Sequence, residues 1–199
     1  MQFTIAITVY KTPHYLPRAI QTVLAQTLTD WEIRMYSDGR SSESEEVARQ
    51  LEGRIPIYYK RMKRKRGLYG NRLRRAALED GQGTHVCYLG HDCLLYPTYL
   101  EAHARQIAGR AEAVSVVPVA YWKNYELRRP QPIGQDLMTL GEGQIDLLCV
   151  AYPRLLALEV GCFGADMERI RCADFLAYDR LRRRSAPIAT PMPEQGAHF

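Results

Sequence analysis

Two short stretches place a carboxylate where a strand-forming segment gives way to a turn. In one, His85-Val86-Cys87-Tyr88-Leu89 is followed by Gly90-His91-Asp92-Cys93; in the other, Trp31 to Tyr36 is followed by Ser37-Asp38-Gly39. Strands of a parallel sheet present their carboxyl ends to the ligand crevice, so Asp92 is expected where a metal or a phosphate-bearing ligand is held. Asp38, in the equivalent place, can accept from a base N–H or a ribose hydroxyl, although Asp-Gly is also an ordinary turn pair. A third feature is charge. Between Gly53 and Leu78 there are ten Lys or Arg residues and no acidic one, with Lys60 to Arg66 the densest run. That local field favours an anionic partner.

Such residues need elements to position them. Phe3 to Val9 is β-branched and apolar and ends at Lys11-Thr12-Pro13, which reads as a buried strand and a turn. Thr12 then caps a helix with Pro13 at its first position, carried to about Gln26 by Leu16, Ile20, Val23 and Leu24. Trp31 to Tyr36 is a second strand, and Ser42-Glu43-Ser44-Glu45 has the form of a capping box for a helix to about Leu51. Ile55 to Tyr59 reads as a third strand and Lys60 to Arg66 as a loop too charged to be buried. An arginine-rich helix around Leu73, Ala76 and Ala77 follows, then a strand from His85 to Leu89, a helix from Pro97, and a fifth strand from Ala113 to Val119. Strands alternating with helices predict an α/β chain with a Rossmann-like, mainly parallel sheet flanked by helices.

Beyond Val119 the regularity weakens. Tyr121 to Gly143 carries Pro130, Pro132, Gly134, Gly141 and Gly143 and reads as a long irregular connection able to close over a ligand. Pro153 to Val160 and Asp166 to Arg184 read as helices, and Pro187 to Pro191 as a short extended piece. With 199 residues the chain fits a single domain. Its 46% hydrophobic and 25% charged content excludes disordered and fibrous classes. There is no apolar run of the roughly 20 residues that span a bilayer, and the first residues lack a basic region and cleavage site, so a cytoplasmic protein is expected. The five cysteines, Cys87, Cys93, Cys149, Cys162 and Cys172, show no C-x-x-C spacing and read as reduced core thiols.

Together these stretches resemble the family 2 glycosyltransferases of the GT-A type, over nearly the whole chain. Thr8-Val9-Tyr10-Lys11-Thr12-Pro13 resembles the family's opening strand and turn, and Val23 to Thr27 with Asp30-Trp31-Glu32 resembles its first helix and second strand. Ser37-Asp38-Gly39 is similar to the nucleotide-binding D-D-G, and Gly70-Asn71-Arg72 to the start of the third helix. Gly90-His91-Asp92 falls where the family has its metal-binding D-x-D, with Gly90 in place of the first aspartate. Ala173-Asp174-Phe175 resembles the segment that carries the catalytic base, and His198 lies where some members place a late metal ligand.

The resemblance implies a single GT-A-like domain over residues 1–199, with 1–119 binding the nucleotide-sugar and 120–199 serving the acceptor. It implies an inverting transfer from a nucleotide-sugar, with uracil the expected base, to the hydroxyl of a glycan or lipid-linked acceptor. Asp174 is then the general base. Thr8, Tyr10, Asp38, Arg72, Arg74 and His91 are expected to bind the nucleotide, with Tyr10 stacking on the base and the arginines sharing charge with the diphosphate. Mn²⁺ or Mg²⁺ is expected on Asp92 and His198, since such ions use one or two carboxylates and fill the shell with phosphate oxygens and water. The Lys60 to Arg66 run would meet an anionic acceptor or a membrane surface. Two other readings stay open: a degenerate domain that binds nucleotide or glycan without turnover, favoured by Gly90, and a nucleic-acid module, which the lack of any recognised motif disfavours.

Overall fold

A computed structural model describes residues 1–10, 12–39, 41–62, 68–123, 126–127, 136–188 and 196–198, excluding the side chains of 68, 121–123, 126–127 and 196–198. The frame is a six-stranded sheet formed by β1 (Phe3–Val9), β2 (Trp31–Asp38), β3 (Ile57–Met62), β4 (His85–Gly90), β6 (Ser115–Val116) and β9 (Val150–Pro153). Their order is β3-β2-β1-β4-β9-β6. The four strands from β3 to β4 are parallel, with Phe3 level with Trp31 and His85, while β9 runs antiparallel to both β4 and β6. The mainly parallel α/β sheet expected from the alternation is therefore present. β1 is central because it is apolar at nearly every position, so it can be covered on both faces.

Helices α1 (Leu16–Leu24), α2 (Ser42–Leu51), α3 (Asn71–Asp80), α4 (Tyr99–Ile107), α5 (Arg154–Glu159) and α6 (Ala173–Arg182) flank it. α1 buries Leu16, Ala19, Ile20 and Val23, the stripe read from the sequence. A smaller sheet of order β5-β10-β7-β8 comprises β5 (Cys93–Leu95), β7 (Ala120–Lys123), β8 (Glu126–Leu127) and β10 (Gly196–His198). Among the described residues, no helix is long and apolar enough to cross a membrane. Every cysteine is free.

Two buried side chains explain the motif around the first helix and second strand. Glu32 accepts from the Thr4 hydroxyl at 2.7 Å, from the Gln82 N–H at 2.6 Å and from Arg34 at 2.8 Å, so it fastens β2 to β1 and to the turn before β4. Gln26 donates to the Thr22 and Tyr96 carbonyls and accepts from the Leu100 N–H, joining α1 to the α4 start. A buried charge or amide is tolerated only when bonded in this way.

Several boundaries differ from expectation. Thr12 does not cap a helix: its hydroxyl is engaged by His91 at 2.7 Å, Pro13–Tyr15 form a 3₁₀ turn, and α1 begins at Leu16. The cap of α2 is Ser41, whose hydroxyl accepts from the Ser44 N–H, one residue before the box read from the sequence. The third strand is shifted to Ile57–Met62, so Lys60 and Arg61 are strand residues rather than loop, ion-paired to Asp80 and Glu45 at 3.2 Å each. An edge strand tolerates them because its outer side faces solvent. Residues 63–66 lie outside the described chain. The fifth strand shrinks to Ser115–Val116, and the connection expected to be irregular opens with the β7–β8 hairpin. The helix expected over Pro153 to Val160 is present as α5, preceded by a strand at Val150–Pro153 that the sequence did not reveal, and Asp166–Arg184 divides into a 3₁₀ turn at Ala165–Met167 and α6. The Gly161 and Phe163 backbones, both at positive φ, end the α5 segment sharply.

Candidate active site

A cavity of about 780 Å³ opens at the carboxyl edge of the parallel strands, where the order of the sheet reverses direction around β1 and β4. Its floor is the end of β1 (Thr8, Val9, Tyr10) and of β4 (Tyr88, Leu89, Gly90). Asp38 enters from the last residue of β2, and His91 and Asp92 from the tight turn between β4 and β5. One wall is the start of α3, with Tyr69, Leu73 and Arg74. The other is chain from the second half: Asp146, Arg169, and Asp174 in the first turn of α6.

The turn that carries Asp92 is held by a histidine. His91 is 9% exposed, with Nε2 2.7 Å from the Thr12 hydroxyl and Nδ1 3.2 Å from the Thr8 carbonyl. A carbonyl only accepts, so Nδ1 carries the proton and, in the neutral ring, Nε2 accepts from Thr12. Both nitrogens are thus engaged in tying the β4–β5 turn to the end of β1. The Gly90 backbone matters for the same turn. A Cβ there would meet Asp92 Oδ1 at 2.8 Å and Cys93 Sγ at 3.0 Å, so the carboxylate of Asp92 occupies the space a side chain at residue 90 would need.

Arg74 is half-buried. Its Nη1 donates to Asn71 Oδ1 at 2.6 Å, and its guanidinium lies 5.9 Å from the Phe163 ring. Burial pulls its pKa down, against the favourable charges of Asp174 and Asp146. Behind it, Tyr88 packs edge-on against Tyr152 and Phe163 at centroid separations of 5.3 Å, and Tyr152 and Phe163 lie tilted to each other at 5.9 Å. Asn71 also bonds to the second half of the chain. Its amide donates to the Met167 carbonyl at 2.9 Å and the Ile170 carbonyl at 2.8 Å, so the Glu168–Ile170 turn is fastened to the head of α3.

Asp174 is half-buried, and its Oδ1 accepts from the Phe175 N–H at 2.9 Å. Burial raises its carboxyl pKa above the ordinary value; the Asp146 charge adds to this, while the Phe175 N–H and Arg74 oppose it. A partly desolvated carboxylate with raised pKa in a cleft is suited to taking a proton. Asp146 caps the 3₁₀ turn Leu147–Cys149 by accepting from the Leu148 N–H at 2.8 Å.

Of the residues singled out from the sequence, Thr8, Tyr10, Asp38, Arg74, His91, Asp92 and Asp174 line one crevice. Arg72 does not line it: it is ion-paired to Glu168 at 3.0 Å. Two residues along a helix are about 200° apart around its axis, so Arg72 and Arg74 cannot share a face. The side chain of His198 lies outside the described chain, but its backbone pairs with Cys93, next to Asp92. Asp146, Tyr69 and Arg169 were missed. Asp146 sits in Ile145-Asp146-Leu147 beyond the irregular segment, and its only signal was an acid between apolar residues.

Among the described residues no three His, Cys, Asp or Glu side chains cluster as a metal site. Asp92 nevertheless fits Mn²⁺ or Mg²⁺ as a single carboxylate in an open crevice, with diphosphate oxygens and water completing the shell. Such an ion would be held jointly with nucleotide rather than by the protein alone.

The sequence model described as Glycosyl transferase family 2 matches residues 4–156. An uncharacterised glycosyltransferase of Rickettsia typhi is 30% identical over 114 residues, which is 57% of this chain and 34% of that protein. Another, from Rickettsia conorii, is 33% identical over 100 residues, covering 49% of this chain and 16% of its own. The chain thus spans about a third or less of the length of these curated relatives. Among solved structures, S. aureus TarS 1-349 superposes over 100% of this chain and 60% of its own with a TM-score of 0.77 at 12% identity. The same protein in complex with UDP-GlcNAc superposes over 99% of this chain and 58% of its own, with a TM-score of 0.71 and 12% identity. At such identity the likeness shows a shared fold.

Proposed function

The chain belongs to glycosyl transferase family 2, and from that premise we propose that it transfers a sugar from a uridine diphosphate sugar to an acceptor hydroxyl with inversion. The observation that carries this reading is the convergence of Asp38, Asp92 and Asp174, from three separate elements, on one crevice at the carboxyl edge of the sheet. In it, residues 1–119 hold the donor and 120–199 the acceptor. Asp38 and Thr8 accept or donate to the base and ribose, Tyr10 stacks on the base, and Arg74 meets the diphosphate with His91 bracing the turn beside it. A divalent ion held by Asp92, with His198 as a further ligand, would supply charge neutralisation to the leaving diphosphate. Asp174 takes the proton from the acceptor hydroxyl as that oxygen attacks the sugar carbon from the side opposite the diphosphate. Asp146 caps a turn, and Asp38 and Asp92 are given to the nucleotide and the ion, so among the described lining residues no further carboxylate is left to serve as a nucleophile. The acceptor is a glycan or a lipid-linked glycan. Contact of the Lys60 to Arg66 run with an anionic surface belongs to the same proposal and would fall to Lys63–Arg66, because Lys60 and Arg61 are ion-paired.

Calorimetry with UDP and Mn²⁺, followed by release of UDP from a panel of uridine diphosphate sugars, tests the reading. Wild type should bind and turn over; Asp174→Asn should still bind UDP but lose about 10²–10⁴-fold in rate. A second reading, binding without turnover, is favoured by Gly90, whose Cβ space is filled by Asp92. UDP binding with no product from any donor would select it, and absence of UDP binding would refute both.

A further inference from the structure

Among the described residues two arginines line the crevice, and one residue fastens the surroundings of both. Asn71 accepts from Arg74 on its carbonyl side and donates to the carbonyls of Met167 and Ile170 on its amide side, on either side of Arg169. The Arg72–Glu168 ion pair adds a third fastening to the same turn. The backbone beneath Arg169 is therefore tied to the start of α3. The two side chains differ in their partners. Arg74 is half-buried and bonded to Asn71, whereas the exposed Arg169 side chain makes no hydrogen bond or ion pair among the described residues. Four carboxylates line the same cavity, those of Asp38, Asp92, Asp146 and Asp174, and none is paired with it.

We propose that Arg169 forms an acceptor-side anion subsite, so that the sugar acceptor carries a phosphate or carboxylate close to the hydroxyl that attacks. This rests on the nucleotide-sugar reading of the crevice and names the acceptor class for it. The position argues for the acceptor rather than the donor. Arg169 lies five residues before Asp174 and lines the same cavity, and the acceptor must approach Asp174 to lose its proton. An anion entering a cavity lined by four carboxylates needs a cation that is not already neutralised, and a planar guanidinium matches phosphate or carboxylate with two hydrogen bonds. Tyr69, 55% exposed and held at φ 52 beside Gly70, lines the same cavity and offers a ring face to the sugar that bears the anion.

The test measures UDP affinity first, then titrates the UDP- and Mn²⁺-saturated protein with glucose 6-phosphate, glucuronate and glucose. In wild type at least one of the two anions should bind about tenfold or more tightly than glucose, and the stronger arm identifies phosphate or carboxylate as the preferred group. Arg169→Gln should remove that preference and leave UDP affinity unchanged, Arg169→Lys should keep part of it, and Arg171→Gln, at an exposed arginine outside the crevice, should keep all of it. The proposal is overturned if neither anion is preferred, if Arg171→Gln has the same effect, or if Arg169→Gln weakens UDP and anion alike. Failure of UDP to bind wild type would instead refute the nucleotide-sugar reading on which it rests.

Discussion

Replacing Asn71 by alanine should damage both stability and the site, by an amount that follows from its bonds. The side chain is fully buried and makes three of them: to the Met167 carbonyl, to the Ile170 carbonyl and from the Arg74 guanidinium. The two neutral bonds contribute about 1 kcal/mol each, because the Met167 carbonyl keeps the Ile170 N–H and the half-exposed Ile170 can turn to water. The charged bond contributes about 2 kcal/mol. Loss of roughly 3–4 kcal/mol corresponds to a fall in Tm of about 10 °C for a chain of this size. Thermal denaturation of Asn71→Ala and Asn71→Asp checks it. The aspartate keeps the arginine contact but turns a carboxylate toward two carbonyls, so it should be no more stable than the alanine. A fall of under about 3 °C for Asn71→Ala, or an Asn71→Asp protein as stable as wild type, would refute the account of Asn71 as the clamp between α3 and the Glu168–Ile170 turn. UDP affinity should fall with Asn71→Ala, because the Arg74 guanidinium loses the acceptor that aims it.

Other consequences can be measured directly. Because burial and Asp146 hold the Asp174 carboxyl above the ordinary 3.8, the acid limb of kcat/KM should lie above that value, and Asp146→Asn should move it to lower pH; a limb that stays put or rises would remove Asp146 from the account. The same shift makes the Asp174 contribution to folding fully present below the unfolded pKa and lost as pH rises through the folded one, so Asp174→Asn should relieve that loss in denaturation midpoints compared at about pH 3 and about pH 7. Mn²⁺ should tighten UDP binding to wild type, and Asp92→Asn should reduce that gain by at least the roughly 10-fold that loss of an outer-shell partner costs; an equal gain in both proteins would take the ion away from Asp92. Gly83→Ala would bring a Cβ within 2.4 Å of the Thr4 nitrogen and 2.6 Å of the Phe3 carbonyl carbon, both backbone, so a loss of about 3 kcal/mol or more is expected in urea denaturation.

The alternation of strand-forming and helical stretches was enough to give the parallel half of the sheet, because β1 and β4 are buried on both faces and show it as mostly apolar segments, and β2 shows it at Trp31, Ile33, Met35 and Tyr36. It also placed Asp38 and Asp92, since a residue just past the end of a parallel strand stands at the crevice whatever the rest of the chain does. The antiparallel β9 was hidden by its four residues and by Pro153, and β10 by its distance from the strands it joins. Local pattern carries no information about a pairing between residues 100 apart.

Which side chains of the second half meet the crevice was decided only by tertiary structure. The sequence determined that α3 would carry several arginines; the rotation of that helix against the sheet turned Arg74 inward and left Arg72 to Glu168. Sequence pattern places Asp174 inside a helix begun at Asp166; the structure starts α6 at Ala173, which puts Asp174 in its first turn, and burial together with the Asp146 charge lifts its pKa. Asp146, Asn71 and Arg169 acquire their places through contacts made across the fold, and a contact of that kind is a property of three-dimensional packing rather than of spacing along the chain.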